Sequence, residues 1–432
     1  MGVKGSKGKS VLAWAFYDWA NSAFATCIMA GFFPIFFKQY WCSGMEVSAG
    51  TFRLGLANSI GSMIVIVLAP LLGAVSDQAG GKKKFLFFFT LLGAVMSGSL
   101  FFVPQGAWLF AFVLYIGGII GFSGGNVFYD SLLINVATPA ESDRVSALGF
   151  ALGYLGGGLI FAFHVTTTIQ PGLFGLPDAG AAVRFSFLSV AAWWIFFSLP
   201  LFFLVPESAS GPPKRLVTAA AGGCRQLAAT FREIKKARVV LLFLIAYWLY
   251  IDGLDTIVRM AVDYGLALGF SANDLILALL ITQFIGFPAA LIFGRLGEKI
   301  GTKQAILAGI CVYLLVTIWA MFMKSVSQFY LMAAAIGLVQ GGVQSLSRSL
   351  YSRIIPPDRS AEFFGFYNML GKFAAVIGPL LMGVISLATG SPRLSLLAVI
   401  LLFVIGGAIL CLVDEKEGIR LARQLEKTKL PG

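Results

Sequence analysis

Two stretches of the chain read Gly73-Ala-Val-Ser-Asp77-Gln-Ala-Gly80-Gly81-Lys82 and Gly294-Arg-Leu-Gly-Glu298-Lys-Ile-Gly301-Thr302-Lys303. Both fit the pattern G-x-x-x-[D/E]-x-x-G-x-[K/R], and the second begins 221 residues after the first. Each follows a long apolar run and carries its acidic residue four positions after the first glycine. A motif repeated at this distance predicts that the chain contains a duplicated structural unit.

Apolar runs dominate the rest of the chain. Apolar residues make up 58% of the 432 residues and charged residues 12%, against roughly 25% charged residues in an ordinary soluble domain. A soluble domain of this size cannot bury so much apolar surface, whereas a bilayer accepts it. About 20 apolar residues cross the hydrocarbon core, and such runs occur at 11–37, 52–75, 85–103, 107–136, 145–168, 183–205, 239–262, 273–294, 304–323, 327–352, 362–388 and 393–413. The sequence therefore predicts an all-α integral membrane protein with twelve transmembrane helices.

Two further pairs of segments repeat in the same order as the loop motif. Asp18-x-x-Asn21-Ser22 is matched by Asp252-x-x-Asp255-Thr256, 234 residues later. Gly124-x-Asn126-x-x-x-Asp130-Ser131 is matched by Gly342-x-Gln344-x-x-x-Arg348-Ser349, 218 residues later. Three ordered matches at similar distances predict two pseudo-symmetric halves of six helices each.

The predicted organisation is an N-terminal half at 1–205, a linker at 206–238, a C-terminal half at 239–413 and a tail at 414–432. The second half of the linker has the composition of a basic amphipathic helix that lies on a membrane surface. A plain connection between the two halves explains the same segment equally well.

The basic residues predict the orientation in the membrane. Of the 32 Lys and Arg residues, 24 lie in segments that are cytoplasmic if the N-terminus is inside, 5 lie in outer loops and the other three lie within spans. Because positive residues concentrate on cytoplasmic loops, we expect both termini in the cytoplasm. The net charge of +12 therefore does not indicate nucleic-acid binding, because basic loops face an anionic lipid leaflet.

Twelve spans in two halves, with the loop motif in each half, resemble the major facilitator superfamily. Four segments resemble its vacuole effluxer-like family more narrowly, and they lie at 17–24, 250–256, 344–349 and 361–373. That family contains fungal vacuolar amino-acid exporters and many bacterial members. The resemblance runs along nearly the whole chain and implies the major facilitator fold. We accordingly expect a multi-pass protein of a bacterial inner membrane that works as a monomer.

The resemblance also implies a role for the repeated loops as a cytoplasmic gate. Each acidic residue should reach the start of a helix in the opposite half, span eleven for Asp77 and span five for Glu298. A helix N-terminus attracts negative charge. Gly81 lengthens the first motif by one residue, which leaves open whether Lys82 or Lys83 takes the basic role.

Polar side chains inside the spans are the candidate substrate or coupling residues. An ionisable group at bilayer depth costs at least about 2.5–3.5 kcal/mol, so each one calls for a role. They concentrate in spans one, four, seven and ten, whereas spans three, six, nine and twelve have apolar middles. The resemblance implies that the former four line a central cavity. The candidates are Asp18, Asn21, Asn126, Asp130, Asp252, Asp255, Arg259, Gln340, Gln344, Arg348, Asn368 and Lys372.

The repeats predict how some of these charges are arranged. Asp130 and Arg348 are repeat mates and are expected to attract each other near the cytoplasmic end. Asp18 and Asp252 are also repeat mates and are expected to face one cavity from opposite halves. The deep residues hold four carboxylates and three cations. This excess of one carboxylate suggests that Asp18 or Asp252 carries a proton during transport.

These features predict a secondary active transporter of small polar metabolites, foremost amino acids, that works by alternating access. A cavity with both carboxylate and cationic side chains suits a zwitterion. One alternative is an exporter of drugs or peptidoglycan fragments. Another, from a different class, is a non-transporting membrane receptor on a carrier fold, but such a receptor needs no charged interior.

An enzyme is not expected. The chain has a single histidine, His164, and its five cysteines form no CxxC or Cys/His cluster. It also lacks the phosphate loop of nucleotide-binding proteins. We therefore expect no cofactor and no metal, and the expected partners are a small-molecule substrate, protons and the lipid bilayer.

Overall fold

The computed structural model describes residues 2–207, 226–227, 229–234, 237–267, 269–390 and 393–427. Within these residues the backbone is helical, with no strand. Some side chains on described helices, including that of Arg259, lie outside the description, and so does most of the predicted linker.

Twelve long helices follow one another in the described residues, and their order confirms the all-α fold. Helix α1 (Gly2–Ala23) continues through π-helical and α-helical turns to Trp41. The others are α2 (Val47–Ala79), α3 (Lys82–Ser99), α4 (Trp108–Ser131), α5 (Ser142–Ile169), α6 (Ala179–Leu204), α7 (Arg238–Ala267), α8 (Ala272–Ile300), α9 (Thr302–Ala320), α10 (Val326–Ile354), α11 (Ser360–Thr389) and α12 (Leu396–Cys411). A shorter amphipathic helix, α13 (Glu415–Lys427), follows.

Ten helices of the described chain are long and apolar enough to cross a membrane. The number becomes eleven if α12 and α13, which meet at 63°, are joined into one span. Helix α11 has 30 residues and an apolar sequence as well. The helices follow the twelve predicted spans, but several extend beyond the predicted bounds, because a helix can continue outside the hydrocarbon core where it needs no apolar residues.

Each half has its own buried core. The N-terminal half contains two clusters of buried apolar side chains, one around Trp194 and one around Trp14. The C-terminal half contains one cluster, which includes Tyr250. The halves meet mainly along two helix pairs, α2 with α11 and α5 with α8. The apolar cores of the two halves are thus largely separate, although the cluster around Trp14 includes Ala361 of α11.

Consecutive helices alternate in direction, so the odd-numbered helices start and the even-numbered helices end at one end of the bundle. We call this the basic end, because the loops there carry most of the Lys and Arg residues, and we call the opposite one the far end. Helices α2 and α11 approach closely near the basic end. A Cβ on Gly365 would lie 2.6 Å from the carbonyl oxygen of Ala69, and one on Gly73 would overlap the backbone of Ala361.

Candidate functional site

Arg348 of α10 reaches from the C-terminal half into the N-terminal half. Its Nη1 donates to Asp130 Oδ1 at 3.0 Å and lies 3.4 Å from Asp18 Oδ2. Its Nε donates to Ser146 Oγ and its Nη2 to the Ser146 carbonyl oxygen, both at 2.9 Å. The side chain is only 2% exposed. One buried guanidinium group thus joins α10 to α1, α4 and α5.

Aromatic rings and a glycine complete the pocket around Arg348. Its guanidinium carbon lies 4.8 Å from the centroid of the Trp14 ring and 4.5 Å from that of Phe150. Guanidinium groups stack favourably on aromatic faces. A Cβ on Gly149 would lie 2.6 Å from Asp18 Oδ2 and 3.1 Å from Arg348 Nη2. Only glycine at this point of α5 leaves room for the two charged groups.

Asp18 and Asp130 share this one arginine, and each accepts a further hydrogen bond. Tyr129 donates its hydroxyl to Asp18 Oδ2 at 2.8 Å. Asn368 of α11 donates to Asp130 Oδ2 at 3.0 Å. We call this set the ion cluster, and it comprises Asp18, Tyr129, Asp130, Ser146, Arg348 and Asn368.

The pairing of Asp130 with Arg348, predicted from the 218-residue repeat, is confirmed. Sequence reasoning did not find Tyr129 or Ser146. Tyr129 precedes Asp130, and a buried tyrosine needs a partner for its hydroxyl, which is the signal that points to it. Ser146 carries no such signal, because serines near helix starts commonly act as caps.

Other predicted residues lie one or more helical turns farther from the basic end. Asn21 of α1 donates to Asn126 Oδ1 of α4 at 2.7 Å. Lys372 of α11 has its Nζ 5.9 Å from the centroid of the Phe122 ring of α4. The partly exposed members of this group are Asn126, Asp255, Gln340, Gln344 and Lys372. The structure thus brings polar side chains of both halves to the space between them, although it does not describe the side chain of Arg259.

Asp252 is buried within its own half, which differs from the expectation that it faces one cavity together with Asp18 of the other half. It is 1% exposed and accepts the backbone N–H of Gly378 in α11 at 2.8 Å. Thr256 also donates to it, at 3.3 Å. Gly378 lacks a side chain, and α11 therefore comes close enough for its backbone to bind the carboxylate. Asp252 stabilises the packing of α7 on α11 within its own half.

Asp77 reaches the start of α11, as predicted. Its Oδ2 accepts the N–H of Glu362 at 2.8 Å, and its Oδ1 lies 3.3 Å from the nitrogen of Ala361. Lys82 lies 3.5 Å from Asp77 Oδ1 and donates to Ser360 Oγ at 2.6 Å. A carboxylate at a helix start meets N–H groups that have no partner in the helix and the positive end of its dipole. We call these contacts the first closure.

The described part of the linker lies across the first closure. Gln226 donates to Glu362 Oε2 at 2.8 Å and accepts a hydrogen bond from Gln78 near the end of α2. Arg359, just before α11, forms an ion pair with Glu233. The linker therefore contacts both halves at the point where α2 and α11 meet.

Glu298 does not reach the start of α5, and this prediction is wrong, since Glu298 is exposed. Asp143, in the first turn of α5, takes the acidic role instead. It accepts a hydrogen bond from Thr302 at 2.7 Å and pairs with Arg353 at 3.1 Å. Thr302 and Arg353 are thus bound by a carboxylate of α5 itself, and Glu298 stays exposed. We call the Asp143 contacts the second closure.

The lysines show how the two loop motifs align. Lys303 donates to carbonyl oxygens at the end of α12, that of Val413 at 2.9 Å among them. Lys83 makes the matching contact at the end of α6, with the Val205 carbonyl oxygen at 2.8 Å. Lys83 is thus the counterpart of Lys303. Because Gly81 adds one residue to the first motif, Lys82 takes part in the first closure instead.

The motif glycines have two different roles. Gly80 and Gly301 have φ of +66° and +98° and end α2 and α8 in a conformation that other residues rarely adopt. Gly73 and Gly294 lie where helices of opposite halves touch, and a Cβ on Gly294 would lie 2.5 Å from Ala147 Cβ of α5.

Substitution of Gly73 by alanine is expected to weaken the first closure. The new methyl group would overlap Ala361, and overpacking of this kind costs about 1–3 kcal/mol. A cysteine in place of Ser360, which is fully buried, should then react at least about fivefold faster with a maleimide applied at the basic end. Gly55→Ala, on the same helix with no atom within 4 Å of the new methyl group, is the matched control. Equal reaction rates in the two variants would contradict the role of Gly73.

Cavities and metal-binding groups add little to this site. Two cavities between described helices are apolar and measure about 10 and 30 Å³, whereas ligand pockets measure about 300–1,000 Å³. In the described part of the chain, no group of three or more His, Cys, Asp or Glu residues could hold a metal ion. The polar residues between the halves are thus the candidate contacts for a small polar molecule.

Solved structures share this architecture. The human organic anion transporter MFSD10 superposes with a TM-score of 0.72 at 16% sequence identity, over 94% of this chain and 99% of that one. The proton:xylose symporter XylE superposes with a TM-score of 0.71 at 14% identity, over 96% and 97%. Two six-helix halves of this kind are the major facilitator fold.

Sequence comparison defines the family within that class. The family described as vacuole effluxer Atg22 like matches residues 41–139 and 134–423. The uncharacterized MFS-type transporter YxiO of Bacillus subtilis (strain 168) is 36% identical over 95% of this chain and 96% of its own. Autophagy-related protein 22 of Coccidioides immitis (strain RS) is 24% identical over 96% and 88%. The chain belongs to the vacuole effluxer Atg22-like family of major facilitator transporters.

Proposed function

We propose that this transporter is a secondary active carrier of small polar metabolites, foremost amino acids, and that it works by alternating access. The observation that supports this most is the ion cluster, in which Arg348 of one half is bound by Asp18 and Asp130 of the other. Any separation of the halves at this level breaks both ion pairs. A carrier makes and breaks such contacts as it opens a central site to one side and then to the other.

The proposed orientation places the basic end in the cytoplasm of a bacterium, with the chain acting as a monomer in the inner membrane. The excess of Lys and Arg at that end supports the orientation. The described conformation is then the one closed toward the cytoplasm, because the ion cluster and both closures are formed there.

Proton coupling is part of the proposal. Asp18 and Asp130 share one guanidinium group, so when Arg348 withdraws, two carboxylates remain close together without a cation. Uptake of one proton relieves this excess of negative charge. The geometry favours Asp18 and Asp130 for this role over Asp252, which is bound to the backbone of its own half.

Amino acids are proposed because the polar residues between the halves include carboxylate, amide and ammonium groups, which together suit a zwitterion. The relatives named autophagy-related protein 22 fall under a vacuole effluxer description, which agrees with transport of a small metabolite. An exporter of drugs or peptidoglycan fragments remains the second candidate within the same class of carrier.

The test is transport of labelled amino acids in proteoliposomes with and without a pH gradient. The wild-type protein is expected to exchange labelled for unlabelled amino acid and to accumulate it when a gradient is imposed. Asp18→Asn and Asp130→Asn mimic the protonated forms, and at least one should retain exchange and lose accumulation. Asp252→Asn serves as the control and should keep both.

Two results would contradict separate parts of the proposal. If no amino acid is exchanged by the wild-type protein, the substrate class is wrong and peptidoglycan fragments and drugs are tested next. If exchange occurs and both Asn variants still accumulate substrate fully, Asp18 and Asp130 do not carry the coupling proton.

A further inference from the structure

Arg348 uses its hydrogen-bond donors within the protein itself. A guanidinium group has five N–H donors, and those of Arg348 are directed at Asp18, Asp130 and Ser146. The side chain is also almost completely buried. A substrate carboxylate would have to displace two carboxylates to reach it. Arg348 therefore acts as a contact between the halves, and another cation must bind a substrate anion.

Lys372 has the position that such a cation needs. It lies twelve residues into α11, about 18 Å from the start of that helix, and it is partly exposed. Its Nζ faces the ring of Phe122 on α4, so it spans the space between the halves. An ammonium group on a flexible stem can keep an aromatic contact and still direct a donor at a carboxylate.

An amide side chain lies one helical turn from the ring that Lys372 contacts. Phe122 and Asn126 are four residues apart and share one face of α4. Asn126 in turn accepts a hydrogen bond from Asn21 at 2.7 Å. Amide N–H groups are further donors for a carboxylate, and Asn126 is partly exposed as well.

Tyr247 of α7 packs against α11 directly before Lys372. Its hydroxyl is 3.4 Å from where a Cβ of Gly371 would lie.

We propose that Lys372 of α11 is the ligand of the substrate carboxylate and that Asn126 of the facing helix α4 supplies a further donor to it. This inference rests on the proposed function and adds a specific requirement to it. The carrier must select molecules with a free carboxylate and must reject the amide of the same amino acid.

The experiment measures binding to the purified full-length protein in detergent. The twenty proteinogenic amino acids are screened by thermal stabilisation, and the dissociation constants of the strongest binder and of its carboxamide are then determined. The wild-type protein should bind the acid at least about tenfold more tightly than the amide. In Lys372→Met the affinity for the acid should fall to that for the amide, while the affinity for the amide stays the same. Lys372→Arg should keep part of the preference.

Two control variants make the result specific. Lys324→Met removes an exposed lysine before α10 and should keep the full preference for the acid. Arg259→Met tests the other cation of the C-terminal half. Unchanged binding of the amide shows that Lys372→Met is folded, and if that variant is not monodisperse, Lys372→Gln replaces it.

The outcomes separate this inference from the proposed function. If the wild-type protein binds no amino acid, the proposed substrate class fails and the inference fails with it. If it binds amino acids and Lys372→Met keeps the preference for the acid, or if Arg259→Met alone abolishes it, the proposed function stands and the role of Lys372 is overturned. A wild-type protein that binds acid and amide equally would overturn the role as well.

Discussion

An Arg348→Ala variant is expected to lose transport almost completely. The substitution leaves Asp18 and Asp130 buried without their shared cation. Loss of one partner of a buried ion pair costs about 3–5 kcal/mol, and the conformation closed at the basic end should lose roughly two or more powers of ten in population. Exchange of labelled substrate in proteoliposomes measures this loss. Arg295→Ala, an exposed arginine on α8, is the matched control and should transport normally.

An exchange of the two charges tests whether the loss of transport comes from the broken ion pair between Asp130 and Arg348. Asp130→Arg combined with Arg348→Asp restores opposite charges at the 3.0 Å contact and should recover part of the transport that either single variant loses. Recovery should be incomplete, because an aspartate at position 348 would face Asp18 with the same charge. A double variant no better than the worse single variant would show that direct pairing is not what these residues contribute.

An Asp77→Asn variant is expected to favour the conformation that is open at the basic end. Asparagine lacks the charge that attracts the start of α11 and Lys82, and it keeps one acceptor oxygen where aspartate uses two. Charge-assisted hydrogen bonds contribute about 1.5–3 kcal/mol each, so the ratio of closed to open molecules should fall by about tenfold or more. Cysteines at the far end should react more slowly with an impermeant maleimide, and those at the basic end faster.

The repeat supplies a matched control for this variant. Glu298→Gln changes the equivalent acidic residue of the second motif, which is exposed, and should leave both labelling rates unchanged. Asp143→Asn should instead reproduce the effect of Asp77→Asn, because Asp143 holds the second closure. If Glu298→Gln opens the basic end and Asp143→Asn does not, the assignment of the second closure is wrong.

The fold could be predicted from the sequence because it follows from hydropathy and repetition. Apolar runs of membrane length define the helices, and three repeats define the halves. The same repeats predicted the contact between Asp130 and Arg348, since pseudo-symmetry brings equivalent positions near the axis that relates the halves. Asp77 was predictable through family resemblance, and the N–H groups at the start of α11, which have no partner within the helix, explain why an acidic residue is needed there.

The errors arise where the two halves differ in a single neighbour. Asp252 and Asp18 are repeat mates, but only Asp252 lies against Gly378, whose missing side chain lets a backbone N–H reach the carboxylate. Glu298 and Asp77 are repeat mates too, but at the second site Thr302 and Arg353 are bound by Asp143 of α5 and Glu298 is exposed. Repetition of sequence predicts repetition of backbone, whereas the partner of a charged group depends on the side chains of other helices.

The hydrogen bonds that Gln226 forms with Gln78 and Glu362 could not be predicted for a similar reason. Glutamines in a linker are common and carry no charge, and nothing in their spacing indicates a partner. These hydrogen bonds require Gln78 and Glu362 to lie close together. The two residues come close only when α2 and α11 are packed together.

Lys83 and Lys303, which bind the ends of α6 and α12, have a consequence for how the protein responds to its membrane. Lys83 ties the start of α3 to the end of α6, and Lys303 ties the start of α9 to the end of α12. These pairs contain the helices with apolar middles, and each pair is also packed side by side. A thinner or thicker bilayer acts on outer helices by tilting them. Lys83 and Lys303 join these helices at the basic end. We therefore expect a change in bilayer thickness to tilt the whole half and to shift the ratio of the two open conformations.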